Sequence, residues 1–168
     1  MSDFDKTTPA HPQFFDMTGA PVNEMPQRVQ PGASAFVLND KGELLLQKRE
    51  DNGFWGMPGG RADPGESIAV TCAREVYEET GFEVRVDHLI GVYSDPTQFN
   101  IGRYRDGAIN QFVNICFACT IMGGAMQISD ESTDIGFFPF DALPEPLLAS
   151  HRVRIADARA GQVAAFFR

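Results

Sequence analysis

Three carboxylates, Glu75, Glu78 and Glu79, lie within five consecutive residues, and a Pro58-Gly59-Gly60 turn stands 15 residues ahead of the first of them. At about 100° per residue they share an arc of roughly 100° on one helix face. So placed they repel one another, and like charges at i,i+4 spacing weaken a helix by roughly a few tenths of a kcal/mol. A solvated acidic face is the plain explanation for such a triplet on its own. It does not account for the glycine turn before the helix or for Glu66 at its start. A divalent cation supplies the missing counter-charge. Hard oxygen donors suit Mg²⁺ or Mn²⁺, which are usually held by a few carboxylates together with the phosphates of a bound molecule.

The elements that must position these groups follow from pattern. Ser67 is a suitable N-cap and Gly81 a suitable C′ residue, with no Gly or Pro between them. Ala69, Cys72, Ala73 and Val76 give that helix a narrow apolar stripe. Ahead of it, Ala33–Leu38 and Glu43–Lys48 flank a polar Asn39–Gly42 turn and predict a β-hairpin. Behind it, Phe82–Val86 and Leu89–Tyr93 read as two strands. Between Ile109 and Ile121, Val113, Ile115, Phe117 and Cys119 alternate onto one face, and Met122-Gly123-Gly124 is expected to end the strand. Ile135–Phe138 reads as a further strand and Pro146 to Ala160 as a closing helix. This order predicts an α+β fold with a mixed, partly antiparallel sheet. The proline-spaced residues 1–31 read as an extended lead-in with a small hairpin at Thr18-Gly19, and residues 32–168 as a single domain.

Gly60, Glu66, Arg74-Glu75-Val76, Glu78-Glu79 and Gly81-Phe82 match all nine defined positions of the 23-residue signature of the Nudix hydrolases, which this chain therefore resembles. The wider likeness, including Leu44–Arg49 and Trp55-x-x-Pro58-Gly59-Gly60, runs from about Ala33 to Phe140. The resemblance implies an α/β/α sandwich and metal-dependent hydrolysis of nucleoside diphosphates linked to another group. By position it makes Glu75, Glu78 and Glu79 ligands of Mg²⁺ or Mn²⁺, with a backbone carbonyl near Gly60, and makes Arg74 the residue that orients the carboxylates. Gly59 and Gly60 would allow close backbone approach, Gly81 would close the helix, and Glu66 would either brace the loop or sit near a further metal. The general base is a box glutamate in some members and a later acidic residue in others. Asp130, Glu131 and Asp134 are the loop candidates here, Glu131 foremost, and a merely solvated loop is the competing reading. ADP-ribose or a nucleoside-diphosphate sugar is the first substrate class, an (oxidised) nucleoside triphosphate the second, and a nucleotide sensor without turnover the third. Pro96, 14 residues beyond Phe82, lies near the position where the ADP-ribose-hydrolysing group carries a proline.

Other residues carry less specific signals. Trp55 and Phe54 either stack on a nucleobase or pack the back of the loop. Arg61, and Arg103-Tyr104-Arg105 in the loop after Ser94, are candidates for substrate binding, with a loose surface loop as the alternative for the latter. Cys116 and Cys119 lie three apart on a strand and so point to opposite faces, which suits buried structural thiols better than a zinc or redox pair. His11, His88 and His151 are isolated in sequence, and nothing places them in a site.

Composition bounds these readings. With 168 residues, 43% of them hydrophobic, the chain can bury a core and is no disordered polymer. The 14 basic against 23 acidic residues give a net charge of −9, which disfavours an extended nucleic-acid partner and leaves room for a small phosphorylated one bridged by a cation. No apolar run is long enough to span a bilayer, and the polar start lacks a secretory pattern. Three cysteines make no disulfide framework, so a reducing cytoplasm is expected. The partner expected is a small nucleotide, with homodimerisation left open and neither nucleic acid nor membrane anticipated.

Overall fold

The computed structural model describes residues 13–103 and 107–168. In chain order the elements are β1 (Phe14–Phe15), β2 (Pro21–Val22), β3 (Arg28–Val37), β4 (Leu44–Arg49), β5 (Trp55–Gly56), β6 (Gly59–Arg61), α1 (Ile68–Thr80), β7 (Phe82–Tyr93), β8 (Ile101–Arg103), β9 (Ile109–Gly124), β10 (Ser132–Phe138), α2 (Ala149–Ala160) and β11 (Phe166–Phe167). The main sheet runs β11-β7-β9-β3-β6 with β8 added on β9, and a second sheet runs β10-β4-β5. β3 is parallel to β9 and β11 to β7, while β7–β9, β3–β6 and β10–β4 are antiparallel, so the sheet is mixed.

Alternation along the strands divides the core between two helices. Ala33, Ala35 and Val37 of β3, Leu45 of β4 and Cys119 of β9 pack with Cys72 and Val76 of α1. Phe36, Leu44, Leu46, Ile90 and Cys116 point the other way and pack with Ile155 of α2. Both faces of β3 and β4 are therefore covered, which is why their sequences read as unbroken apolar runs. The arrangement is the expected α+β sandwich.

The expected hairpin forms only at its turn. Asn39 closes it, its side-chain oxygen accepting from the amides of Lys41 and Glu43, both at 3.0 Å, and Leu38 bridges Leu44. Beyond that bridge the strands part into different sheets. β3 gains a ladder of ten residue pairs with β9, longer than the six residues of β4 allow, and β4 is satisfied by β10 and β5. Two further expectations are corrected. The segments from Phe82 and from Leu89 are one strand with bulges, and the Gly123-Gly124 pair continues β9 by pairing with Glu83 and Phe82.

Helix α1 begins and ends as its caps require. The Ser67 hydroxyl accepts from the Val70 amide at 3.4 Å, and Gly81, at φ 76°, closes the helix by donating to Tyr77. α2 starts at Ala149, three residues later than expected from Pro146. The backbone just before it is engaged with β5 instead, with the Trp55 amide donating to Pro146 and the Leu148 amide to Trp55. The small hairpin of β1 and β2 forms around Thr18-Gly19.

Candidate functional site

β6 and α1 are held against each other closely enough that glycine is required between them. A Cβ on Gly59 would run into β3 at Ala33 and Ser34, and one on Gly60 would lie 2.5 Å from the carboxyl carbon of Glu75. The Gly59 amide donates to Glu79 Oε2 at 2.7 Å, tying the glycine turn to the last of the three carboxylates. Glu79 is only 6% exposed. Burial pushes its carboxyl up to about 7, against the opposing pull of the Gly59 amide and the Gln47 side chain. Burial also raises Glu75, with the Arg74 charge opposing it and the charges of Glu78 and Glu131 adding to it.

Arg74 is the hub of this face. Its Nη1 donates to Glu75 Oε1 and to Glu78 Oε2, both at 2.9 Å. Its Nε and Nη2 donate to the two oxygens of Glu66 at 2.7 and 3.0 Å, and Nη2 also donates to the Arg61 carbonyl at 3.0 Å. A planar guanidinium is the one side chain with enough donors in a fixed fork to do this. Glu66 in turn accepts from the Asp63 amide and the Thr71 hydroxyl, and the Arg74 bond holds its carboxyl down to about 2. Glu66 thus ties the loop of residues 61–66 to the helix.

The donor set is chemically suited to a hard divalent cation, because the carboxylates are close enough to feel one another's charge. As they lie, no three carboxylate, imidazole or thiol groups among the described residues are placed to hold one ion. Glu75 and Glu78 lean on Arg74 and Glu79 leans on the Gly59 amide. An ion would have to draw them off these partners.

Of the other residues singled out in sequence, some gather here and some do not. Glu131 is exposed, and its carbonyl accepts from Glu50 at the end of β4; its charge is felt at Glu75 and Arg49. Arg61 is exposed beside the turn. Asp134 lies in β10, where its carboxylate accepts from the Ile135 amide. Arg103 pairs with Glu24 at 2.9 Å, away from the cluster. Tyr104 and Arg105 fall outside the described residues. Trp55 is 6% exposed and meets Phe138 edge-on with ring centroids 5.0 Å apart, so its surroundings are those of a core side chain and not of a stacking platform. Cys116 and Cys119 are buried on opposite faces, and Cys119 Sγ lies 3.8 Å from Cys72 Sγ.

Three residues near the site were not singled out. Gln47 is buried, accepts from the Ser132 hydroxyl at 2.6 Å and supports the Glu79 charge, and Arg49 adds a cation beside it. A glutamine directly after the Leu44–Leu46 run was the signal available. His151, read as isolated, is buried, and its Nδ1 accepts from the Met57 amide at 2.8 Å, just ahead of the glycine turn. No local pattern connects two residues 94 apart.

The fold and the site together form a two-helix sandwich carrying a glycine turn, a carboxylate-lined helix and an arginine hub. The NUDIX domain pattern matches residues 28–158, and the chain belongs to the Nudix hydrolase family. It is 35% identical over 128 residues to a MutT-like protein of Streptomyces ambofaciens, covering 76% of this chain and 75% of that one. It is 32% identical over 130 residues to a putative 8-oxo-dGTP diphosphatase of Bacillus subtilis, covering 77% and 80%. An ADP-ribose pyrophosphatase of Methanocaldococcus jannaschii is 32% identical over 124 residues, covering 72% and 68%. Among solved structures, the MutT protein of Methanosarcina mazei Go1 superposes with a TM-score of 0.65 at 23% identity, over 83% of this chain and 99% of that one, a likeness of fold.

Proposed function

We propose that this enzyme hydrolyses the pyrophosphate bond of a nucleoside diphosphate linked to another moiety, with ADP-ribose or a nucleoside-diphosphate sugar as the first class. The observation that carries this reading is the gathering of Glu75, Glu78 and Glu79 around Arg74 and the Gly59–Gly60 turn. Arg74 brings a single positive charge to Glu66, Glu75 and Glu78, so the cluster stays net anionic and a diphosphate cannot approach it without cations. Glu75, Glu78 and Glu79, with the Gly60 carbonyl, are the groups proposed to hold Mg²⁺ or Mn²⁺. When bound, such ions neutralise phosphate charge and acidify water. The chain's own residues do the rest. Arg74 releases or retains carboxylates according to what faces them, Glu66 anchors Arg74, and the bare backbone at Gly59 and Gly60 leaves room for the phosphates. Glu131, in the later loop just ahead of β10, is the proposed general base.

The relative named ADP-ribose pyrophosphatase supports the first substrate class. The one named 8-oxo-dGTP diphosphatase favours a second reading, hydrolysis of (oxidised) nucleoside triphosphates. A panel of ADP-ribose, nucleoside-diphosphate sugars and triphosphates, with Mg²⁺ and with Mn²⁺, separates them by product. A nucleoside monophosphate with a sugar phosphate supports the first reading, and a nucleoside monophosphate with pyrophosphate the second. Binding without turnover in every case would overturn both.

A further inference from the structure

On the outer side of α1, next to the carboxylate cluster, an open cleft of about 490 Å³ runs between the end of the helix and the segment joining β9 to β10. Tyr77, Glu78, Glu83, Gln127, Ile128 and Ser129 supply its side chains, and its floor is main chain at Gly81 and Gly124. The floor is bare for a reason: a Cβ on Gly124 would strike the Gly81 carbonyl, and both residues have positive φ, 82° and 76°. The far wall is pinned to the helix by the Gln127 amide, which donates to the Thr80 carbonyl at 2.9 Å. Glu78 belongs to both the cluster and the cleft, so whatever occupies the cleft is contiguous with whatever is bound at the carboxylates.

The chemistry of the lining selects its occupant. Beyond Glu78, which it shares with the carboxylate cluster, the cleft carries the Glu83 carboxylate and no basic side chain, so it offers further phosphate groups no counter-charge. Tyr77 leaves 57% and Ile128 47% of its surface exposed, offering a ring and an aliphatic face. Around them stand groups that accept hydrogen bonds, the Glu83 carboxylate and the Gln127 amide oxygen. Acceptors around an apolar ring match an uncharged body with several hydroxyl donors.

We propose that this cleft binds the uncharged sugar on the far side of the scissile diphosphate. The proposal rests on the carboxylate cluster being the site of diphosphate hydrolysis. It makes the cleft the feature that selects a diphosphate-linked sugar over a triphosphate, whose leaving portion is anionic.

The test compares kcat/KM for ADP-ribose with that for the methyl ester of ADP, which keeps the diphosphate and lacks the sugar, in the unmodified protein and in Tyr77→Ala and Glu83→Gln. Both side chains are exposed, so neither change removes core packing. The wild-type protein should prefer ADP-ribose, and each variant should lower that preference about tenfold, chiefly through KM, the scale at which a lost pocket contact discriminates. If the wild-type protein cleaves both compounds and the variants leave their ratio unchanged, the cleft assignment is wrong while the hydrolase reading stands. If the wild-type protein cleaves neither, diphosphate-linked substrates are ruled out and the cleft assignment falls with them, whether or not triphosphates are hydrolysed at the carboxylates.

Discussion

The carboxyl group of Glu75 occupies the space that a side chain on Gly60 would need, with 2.5 Å between its Cδ and the position of that Cβ. The missing side chain on β6 and the placing of a carboxylate on α1 are thus one structural fact. Gly60→Ala would push Glu75 off its position while leaving the sheet pairing of β6 with β3 available. Since displacement of a reacting geometry by about 1 Å can cost about 100-fold, turnover should fall by about that factor. Melting temperature should move far less. Full turnover in the alanine variant would show that the close approach has no bearing on the chemistry.

Glu78 is the most exposed of the three carboxylates, at 55% of its side chain, and it contacts Arg74 without supporting the core. Glu78→Gln should therefore fold normally and lose turnover by orders of magnitude, because an amide cannot supply the charge that balances a cation. Steady-state kinetics beside a thermal melt check this, and near-normal turnover would refute the role assigned to Glu78.

Cys116 and Cys119 should matter to packing and not to chemistry. Both are buried, one on each face of β9, and Cys119 packs against Cys72 in the layer beneath α1. Replacing Cys116 with Ala and Cys119 with Val should change stability by about 1 kcal/mol each, the ordinary size for a small core change. Turnover should be preserved. Loss of activity in a variant of unchanged stability would count against this reading.

His151 gives stability a pH dependence of known sign. Burial, with help from the Arg154 and Arg49 charges, holds its folded pKa well below 6.5, and Nδ1 accepts from the Met57 amide and so cannot carry a proton. Above pH 6.5 the ring is neutral in folded and unfolded chains alike. As pH falls below that value the unfolded chain binds a proton that the folded chain refuses, and stability declines by up to about 1.4 kcal/mol per pH unit. His151→Asn keeps an acceptor and does not titrate. Denaturant melts at about pH 7.5 and about pH 5.5 should show the wild-type advantage over this variant shrinking in acid. A gap that stays constant would place the titration elsewhere.

How much was legible in the sequence follows from how far each interaction reaches along the chain. The caps of α1, the common face of its glutamates and the turn at Asn39 are set by neighbours within a few residues, and each is found where its spacing put it. The opposite-facing cysteines follow from strand periodicity in the same way. The parting of β3 from β4 was not legible, because it depends on β9, some seventy residues on, offering β3 a longer ladder than the hairpin could. The fate of Trp55 was left open for a similar reason. Only the folded chain brings Phe138 to the edge of its ring.

The order of residues alone determined that a capped helix would carry three carboxylates beside a bare glycine turn, since helix geometry needs no information beyond the segment itself. Tertiary structure decided what surrounds that helix: His151 beneath the turn, Gln47 and Arg49 beside Glu79, and the Gly124–Ser129 wall that makes a cleft next to Glu78. Those neighbours come from strands whose pairing is a competition among distant partners. That competition is settled by burial and ladder length across the whole molecule, and no local pattern records it.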